Sequence, residues 1–205
     1  MQFDDAEQQH EAAALGMWAF LATEILFFGG VLTGFVIYRH RYLEAFAEGG
    51  KELWPWIGTA NTAVLLLSSF AMAMAVHEAE TQGRRKHIAR YLLLTALLGA
   101  TFICVKAVEY TIDWHEGLIP SLNWHPEHLS HPDQTQMFFF FYFFLTILHA
   151  IHMTAGIGVI LIVAWQTRRP DFSSEKKTTV EMLGLYWHFV DVVWIFLFPL
   201  LYLTA

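Results

Sequence analysis

Cysteine is almost absent from this chain of 205 residues, which contains only Cys104. A single cysteine excludes an intrachain disulfide and any cysteine-rich metal site. The first residues, MQFDDAEQQHE, are acidic and lack the basic segment that opens a secretory signal, so we expect no cleaved leader. The sequence also lacks a glycine-rich phosphate loop and a nucleophile elbow. Its net charge of −7 argues against nucleic acid as a partner.

Formal charge is missing altogether from the 29 residues between Met137 and Trp165. As an α-helix this segment would be about 44 Å long, more than the ~30 Å hydrocarbon core of a bilayer. The whole chain is 56% hydrophobic and has a mean hydropathy of +0.40, which is high for a soluble domain. These features are typical of an integral membrane protein.

Five apolar segments are each long enough to cross a membrane once. They lie at about residues 15–38, 56–76, 88–108, 137–165 and 182–203. Period-two alternation is absent, which argues against a barrel, and the connections are too short to hold a soluble module. We therefore predict an all-α fold in which residues 1–205 form a single membrane domain of five transmembrane helices.

The distribution of basic residues predicts the orientation of these helices. Three basic residues flank the spans on the side opposite the N-terminus, namely Arg39, Arg41 and Lys51. Eight lie on the side of the N-terminus, in the second and fourth loops: Arg84, Arg85, Lys86, Arg90, Arg168, Arg169, Lys176 and Lys177. Because Lys and Arg accumulate on the cytoplasmic side, we expect the N-terminus inside and the C-terminus outside.

Ionisable side chains within the spans are the candidate functional groups, because lipid penalises them unless they face protein, water or a partner. They are Glu24, His149, His152, His188 and Asp191. Glu24 is nine residues into the first span, Asp191 is nine residues past Met182 in the fifth, and the histidine pair lies near the middle of the fourth. These groups are therefore predicted to lie at similar depth.

Three roles for these buried groups are open: hydrogen bonds that fix helix packing, proton movement, and binding of a metal or haem. Two stacked haems would need histidines at two depths on two helices, and the first three spans have no interior histidine. We therefore predict no haem or copper in this chain. The third loop contains four histidines whose spacings could hold zinc or copper, although its prolines and polar residues are more typical of an ordinary exposed loop, so metal binding there stays an alternative. Those histidines are His115, His125, His128 and His131.

We predict that Glu24 lies within hydrogen-bond reach of the pair His149 and His152. An isolated charge at mid-bilayer costs about 2.5–3.5 kcal/mol on insertion scales, so the carboxyl group should be protonated or find a donor. The two imidazoles are the nearest donors in depth on another helix. Gly30 and Gly156 are expected to leave room for close helix approach.

Lys106 and Glu109 are three residues apart at the outer end of the third span. This spacing places both side chains on one face of a helix, so we predict an ion pair. We also expect the lysine side chain to extend toward the membrane interface, as long basic side chains do near helix ends.

Four segments, taken in series, resemble subunit III of the haem–copper respiratory oxidases. GMWAFLATEILFFGG (16–30) resembles the glutamate-bearing helix of that family, and FICVKAVEY (102–110) resembles its next-but-one helix. FYFFLTILHAIHMTAGIGV (141–159) is similar to its His-x-x-His helix, and YWHFVDVVWIFLFPLLY (186–202) to its final helix. Lys106 stands where many relatives carry glutamine. The resemblance begins at residue 16 and is to the short, five-helix form.

The resemblance implies a non-catalytic integral subunit of a proton-pumping terminal oxidase that reduces oxygen to water. In that family the haems and coppers belong to subunits I and II, and subunit III packs against subunit I, holds phospholipid and supports proton uptake. We expect the same of this chain in a bacterial cytoplasmic membrane, with subunit I along the first and third spans. A larger respiratory supercomplex is a further candidate partner.

The family's functional positions can be matched residue by residue to this sequence. Glu24 matches the buried glutamate, His149 and His152 match the paired histidines, and His188 and Asp191 match the terminal motif. No catalytic residue is expected in this chain.

Two other functions remain as alternatives at this point. In a small proton-linked transporter Glu24 and Asp191 would be the carriers, but the chain lacks the internal repeat and broken helices of such proteins. The accessory protein of nitric oxide reductases shares the same fold. The electron donor of the oxidase, cytochrome c or a quinol, stays open.

Overall fold

The computed structural model describes residues 6–81, 84–125, 129–168 and 174–203. Within these ranges the chain forms six α-helices and one antiparallel pair of short strands. In chain order they are α1 (Ala6–Arg41), α2 (Leu43–Glu52), α3 (Pro55–Glu80), α4 (Arg85–His115), β1 (Leu118–Ile119), β2 (Asn123–Trp124), α5 (Pro132–Gln166) and α6 (Ser174–Tyr202).

Five helices, α1, α3, α4, α5 and α6, are long and apolar enough to cross a membrane. The predicted all-α fold with five spans is confirmed. The helices extend beyond the predicted spans, most clearly where α1 begins at Ala6 and α6 begins at Ser174. The predicted bounds followed the apolar residues, whereas backbone hydrogen bonding continues through the polar residues at the helix ends.

Four of the helices form a closed bundle in which α3 packs against α4, α4 against α5, α5 against α6, and α6 against α3. The interior of this bundle contains large buried side chains such as Trp187, Phe102 and Leu65. Helix α1 lies outside the bundle, against α5 and α6, and is the least buried of the five spans. The bundle can therefore enclose polar groups, while α1 covers one of its edges.

Glycine has a packing role at one of the two predicted positions. A Cβ on Gly156 would lie 3.0 Å from ring atoms of both Tyr186 and Trp187, so glycine permits the close approach of α5 and α6. No atom lies within 4 Å of the corresponding position at Gly30. The role predicted for Gly30 is therefore wrong, because α1 contacts its neighbours through another face.

Two connections have structure that the sequence did not predict. The first loop forms helix α2, which packs against α5. The third loop contains the β1–β2 hairpin, in which Gly117 takes a φ of 71° and Leu118 is fully buried. The prediction of an ordinary exposed loop is therefore wrong for this part, since Leu118 is drawn into the core cluster.

Helix α2 is joined to the start of α5 through one carboxylate. Glu48 accepts hydrogen bonds from the backbone N–H of Ser130 at 2.7 Å and of His131 at 3.2 Å, and from the Thr135 hydroxyl at 3.4 Å. The Ser130 hydrogen bond is the main reason why the pKa of Glu48 is lowered. Glu48 thus caps a helix to which it does not belong.

Candidate functional site

The predicted contact between α1 and α5 is present at Glu24. Its Oε2 lies 3.2 Å from Nε2 of His152, and the two side chains are only 17% and 16% exposed. This distance is that of an ion pair, although the alignment of the two atoms does not meet that of a hydrogen bond. Phe28 packs against the imidazole at a ring separation of 5.4 Å and shields it.

The other nitrogen of His152 determines which atom of the ring carries a proton. Its Nδ1 lies 2.9 Å from the carbonyl oxygen of Leu148. A carbonyl only accepts, so Nδ1 must be the protonated nitrogen of the neutral ring, which leaves Nε2 as an acceptor toward Glu24. A favourable contact between Nε2 and the carboxyl group therefore requires one further proton, held by either partner.

His149 is separated from this contact and lies inside the bundle. It is 1% exposed, and its ring packs against Phe102 at 5.5 Å and Trp194 at 5.1 Å. Neither ring nitrogen has a hydrogen-bond partner among the described residues. The prediction that both histidines meet Glu24 is therefore wrong for His149. Two positions three apart on a helix point about 60° apart, which is enough to face different neighbours.

His188 and Asp191 lie on α6 and face α3. Nδ1 of His188 is 2.8 Å from the Ser69 hydroxyl. Asp191 is 3% exposed, and neither of its carboxylate oxygens has a hydrogen-bond partner in the part of the chain that is described. The sequence placed these two residues on one helix face but did not reveal their neighbours, because Ser69 is more than a hundred residues away in the chain.

His188 also lines a cavity of about 470 Å³ between α1, α3 and α6. Other titratable residues on its wall are His10, His77, Glu80 and Glu181. His10 Nδ1 lies 3.7 Å from a carboxylate oxygen of Glu181. The sequence analysis missed this group, since its members are spread over three helix ends. A cavity with such walls is polar enough to hold water.

Lys106 and Glu109 form the predicted ion pair, with Nζ 3.0 Å from Oε2. The expectation that the lysine reaches the interface is wrong, because its side chain is only 4% exposed. Its ammonium group also donates to the hydroxyls of Tyr142 at 3.1 Å and Tyr202 at 2.7 Å. Both tyrosines in turn donate to Oε1 of Glu109. The cation stays inside because three acceptors surround it there.

Asp113 is a buried acid that sequence reasoning missed. It is 0% exposed, and both carboxylate oxygens are without a hydrogen-bond partner among the described residues. Asp113 falls one turn beyond Glu109 and two turns beyond Lys106 on α4, so the spacing i, i+3, i+7 was the signal that could have revealed it. Helix α4 thus carries a line of three buried ionisable side chains toward its C-terminal end.

Metal binding finds no support in the geometry of the described residues, where no three His, Cys, Asp or Glu side chains lie close enough to hold an ion. Of the third-loop histidines, His115 ends α4, His125 follows β2 and His131 precedes α5. The fourth, His128, lies outside the described residues.

Comparisons with known proteins identify the family to which the chain is similar. A model of the family described as cytochrome c oxidase subunit III matches residues 129–205. Cytochrome c oxidase subunit 3 of Thermostichus vulcanus is 32% identical over 98% of this chain and 92% of its own length. Quinol oxidase subunit 3 of Bacillus subtilis is 32% identical over 93% of this chain and 86% of its own.

One of the relatives is longer than this chain. Cytochrome c oxidase subunit 3 of Mus musculus is 28% identical over 91% of this chain, which spans 67% of the mouse protein. The helices that carry Glu24, Lys106, His152 and Asp191 all fall within the 98% of the chain that matches the Thermostichus protein. Together with its five spans, these matches show that this multi-pass membrane chain belongs to the cytochrome c oxidase subunit III family.

Proposed function

We propose that this chain is a non-catalytic subunit of a proton-pumping terminal oxidase that reduces oxygen to water. Haem and copper are carried by partner subunits I and II, and this chain has no redox centre of its own. Relatives named as cytochrome c oxidase and as quinol oxidase match nearly the whole chain at the same identity. Features that this chain shares with both relatives therefore do not determine whether cytochrome c or a quinol donates the electrons. We assign the choice of electron donor to the partner subunits.

The observation that carries this proposal is the contact of Glu24 with His152. The pair is mostly buried, bridges α1 and α5, and requires one shared proton to be favourable. A carboxyl–imidazole contact that holds one shared proton between two helices is suited to support proton uptake by the complex. We assign its contribution to proton supply and to the packing of α1.

The polar cavity beside His188 supports the same role. It lies between α1, α3 and α6, and His77, Glu80 and Glu181 line it with His188. Water in this cavity would connect the helix ends to the Ser69 hydroxyl through His188. Asp191, buried one turn further along α6, is the terminal acid of this route.

Phospholipid is the ligand that we propose for an apolar groove between α1, α5 and α6. The groove has a volume of about 430 Å³, and its walls include Met17, Val159 and Leu183. An acyl chain fits a groove of this character, because its lining is mainly hydrocarbon. The lipid would hold α1 against the bundle.

We propose a bacterial cytoplasmic membrane as the location, with the N-terminus inside. Five of the 12 Lys and Arg residues lie around the start of α4 or just after α5, at the end of the bundle where α1 begins: Arg84, Arg85, Lys86, Arg90 and Arg168. This asymmetry supports a cytoplasmic position for that end.

The test uses the complex purified through a tag on this chain from its own membranes. We expect haem and oxygen-reducing activity to copurify with the tagged chain, and E24Q to assemble with the same haem content. Glutamine keeps the shape of the side chain but cannot hold the shared proton. E24Q should therefore lose activity earlier during sustained turnover, while the initial rate stays near that of the wild type.

The matched control is E116Q, which removes one carboxylate from an exposed position. Its activity should decay at the wild-type rate. The chain expressed without partners should give no haem band in a reduced-minus-oxidised spectrum and no copper by metal analysis. A stoichiometric haem in the isolated chain, or a tagged chain that brings down no haem protein, would contradict the proposal.

A further inference from the structure

Asp113 is a buried acid beside the cluster of Lys106 and Glu109. It lies in the last turn of α4, is 0% exposed, and has no hydrogen-bond partner on either carboxylate oxygen among the described residues. An unpaired carboxylate is costly in such a position, because burial removes its hydration. The neighbouring donors therefore decide which protonation state Asp113 can hold.

The donors of the cluster are already used by other acceptors. The three protons of the Lys106 ammonium group go to Glu109 at 3.0 Å and to the hydroxyls of Tyr142 at 3.1 Å and Tyr202 at 2.7 Å. Each of the two phenols has one proton, and both donate it to the second oxygen of Glu109. Glu109 therefore accepts from three donors, as an ionised carboxylate can. It balances the charge of Lys106, and no proton of these side chains is left for Asp113.

The remaining hydroxyl groups nearby are occupied as well. Tyr110 donates to the hydroxyl oxygen of Thr146 at 2.7 Å. Thr146 in turn donates to the backbone carbonyl oxygen of Tyr142 at 2.6 Å. Neither hydroxyl is available as a donor to Asp113.

The ionisable groups around Asp113 offer it no second cation. Those that act on it electrostatically come from three helices: Lys106, Glu109, Tyr110 and Glu116 from α4, Tyr142 from α5 and Tyr202 from α6. Helix α3 also packs against α4, but it has no ionisable side chain before His77, which is close to its other end. Strand β1, which contacts α4 as well, consists of Leu118–Ile119.

The position of Asp113 on its helix also disfavours a negative charge. The C-terminal end of a helix dipole is negative, and Asp113 is two residues before His115, the last residue of α4. Glu109 lies one turn before it and Glu116 lies about one turn after it. A further carboxylate between these two acids would be repelled by both. A protonated carboxyl group avoids this repulsion and the cost of a buried charge.

We propose that Asp113 is a proton-binding site, whose carboxyl group carries a proton in the folded chain at neutral pH. With this proton the cluster is electrically neutral, since it then has one cation at Lys106 and one anion at Glu109. Release of the proton would place two carboxylates one turn apart where α4, α5 and α6 meet. The proton therefore stabilises this junction, and the stabilisation depends on pH. The site shares no residue with the contact of Glu24 and His152.

Infrared spectroscopy of the full chain, purified in detergent with an isotope label on the side-chain carboxyl of aspartate, tests this proposal. A protonated carboxyl group absorbs at a higher frequency than a carboxylate, and the label shifts the aspartate bands alone. D191N removes the other aspartate that is buried among the described residues. We expect D191N to show a labelled band of a protonated carboxyl at neutral pH, and D113N/D191N to lack it. The matched control D133N changes an exposed aspartate and should keep the band.

The pH dependence of unfolding gives a second measurement, followed by circular dichroism. The folded chain holds a proton that the unfolded chain has released, so stability should fall as the pH rises. From mildly acid to neutral pH, the unfolding equilibrium constant of the wild type should therefore rise relative to that of D113N by up to about tenfold per pH unit. D133N should follow the wild type across this range.

Two results would overturn the proposal. One is a D191N spectrum with labelled carboxylate bands alone at neutral pH; stabilisation of the wild type by sodium but not by choline would then identify a bound cation in place of the proton. The other is a ratio of unfolding constants between wild type and D113N that does not change with pH. Because neither measurement uses oxygen reduction, a failure here is distinct from a failure of the proposed oxidase role.

Discussion

A buried lysine is tolerated in this bundle because every proton of its ammonium group has an acceptor. Lys106 donates to Glu109, Tyr142 and Tyr202 at 3.0, 3.1 and 2.7 Å. The second oxygen of Glu109 accepts from both tyrosine hydroxyls, so the carboxylate is satisfied as well. The ring centres of Tyr110 and Trp194 lie 5.2 and 5.5 Å from the ammonium nitrogen and add cation–π contacts. These hydrogen bonds join α4, which carries Lys106 and Glu109, to Tyr142 on α5 and Tyr202 on α6.

Removal of one partner from this cluster should destabilise the chain more than removal of both charges. K106M leaves the Glu109 carboxylate buried without its cation, and we expect the free energy of unfolding to fall by about 3–5 kcal/mol. In K106M/E109Q neither charge of the ion pair is left, so more than half of the loss should be recovered. The measurement is denaturant unfolding of the purified chain in detergent, followed by circular dichroism.

The control for this pair is K51Q, in which an exposed lysine on α2 loses its charge. It should change stability by less than about 0.5 kcal/mol. If K106M were as stable as the wild type, or the double variant less stable than K106M, the ion pair would not be the group that holds the cluster together.

The sequence predicted a contact between residues where their depth in the membrane was enough to bring them together. Counting residues along the spans brought Glu24 to the level of the histidine pair, and His152 does lie beside it. Which of the two histidines faces α1 depends on rotation of α5 about its axis, and a sequence with polar groups on two faces does not fix that rotation. The predicted position of the Lys106 side chain at the interface was wrong because its acceptors were not evident from the local sequence. Tyr142 and Tyr202 are 36 and 96 residues away in the chain.

Among the elements, α5 depends on a cap supplied by α2. The helix begins at Pro132 after His131, whose side chain makes no capping hydrogen bond. Glu48 supplies that function from another element, through the N–H groups of Ser130 and His131. The carboxylate also lies at the positive end of the α5 dipole, which adds to its favourable position.

Loss of this cap should change how the free energy of unfolding depends on pH. The folded state lowers the pKa of Glu48 below its ordinary 4.5. The contribution of Glu48 to stability is therefore complete above pH 4.5 and is lost as the pH falls through the lower, folded value. We expect E48Q to lower the free energy of unfolding at pH 7 by about 1 kcal/mol, as for other lost helix caps. The difference between wild type and E48Q should shrink as the pH falls below 4.5.

Unfolding of both proteins in detergent at several pH values between neutral and acid conditions measures this difference. E44Q is the matched control, since Glu44 is an exposed acid on the same short helix. It should follow the wild type at every pH. A constant gap between wild type and E48Q across the range would contradict the cap, because a group without a shifted pKa gives no pH dependence.

The sequence predicted the helices that contain a long apolar segment. It did not predict the short helix α2. Each of the five spans exceeds the length needed to cross a bilayer, so composition alone identifies it. Helix α2 has 10 residues with two adjacent glycines, a composition that gives no strong helical pattern. Its helix is stabilised by contact with α5, which the local sequence does not reveal.

At the scale of the whole molecule, α1 and α4 lie on either side of α5, and the exposed sides of the three helices form one face. Helix α5 packs between α4 and α6, and α1 lies against α5 and α6. A partner that contacts both α1 and α4 must therefore cross the exposed face of α5 between them. That face carries Phe140, Phe144 and Ile151. On α4 the exposed stripe includes Leu97, Cys104 and Val108.

The contact with subunit I that we propose along α1 and α4 predicts cross-links from this face. A photoreactive phenylalanine analogue in place of Cys104 or Phe144 should form a cross-link to a second polypeptide, identified by mass spectrometry as the haem-binding subunit. Phe70 is 66% exposed on α3, which lies across the bundle from α5. The same analogue there should react with lipid or with nothing. Cross-links from position 70 to the haem-binding subunit, with none from positions 104 and 144, would place the partner on the opposite face. The exposed stripes of α4 and α5 would then be lipid-facing surfaces, as their apolar side chains also permit.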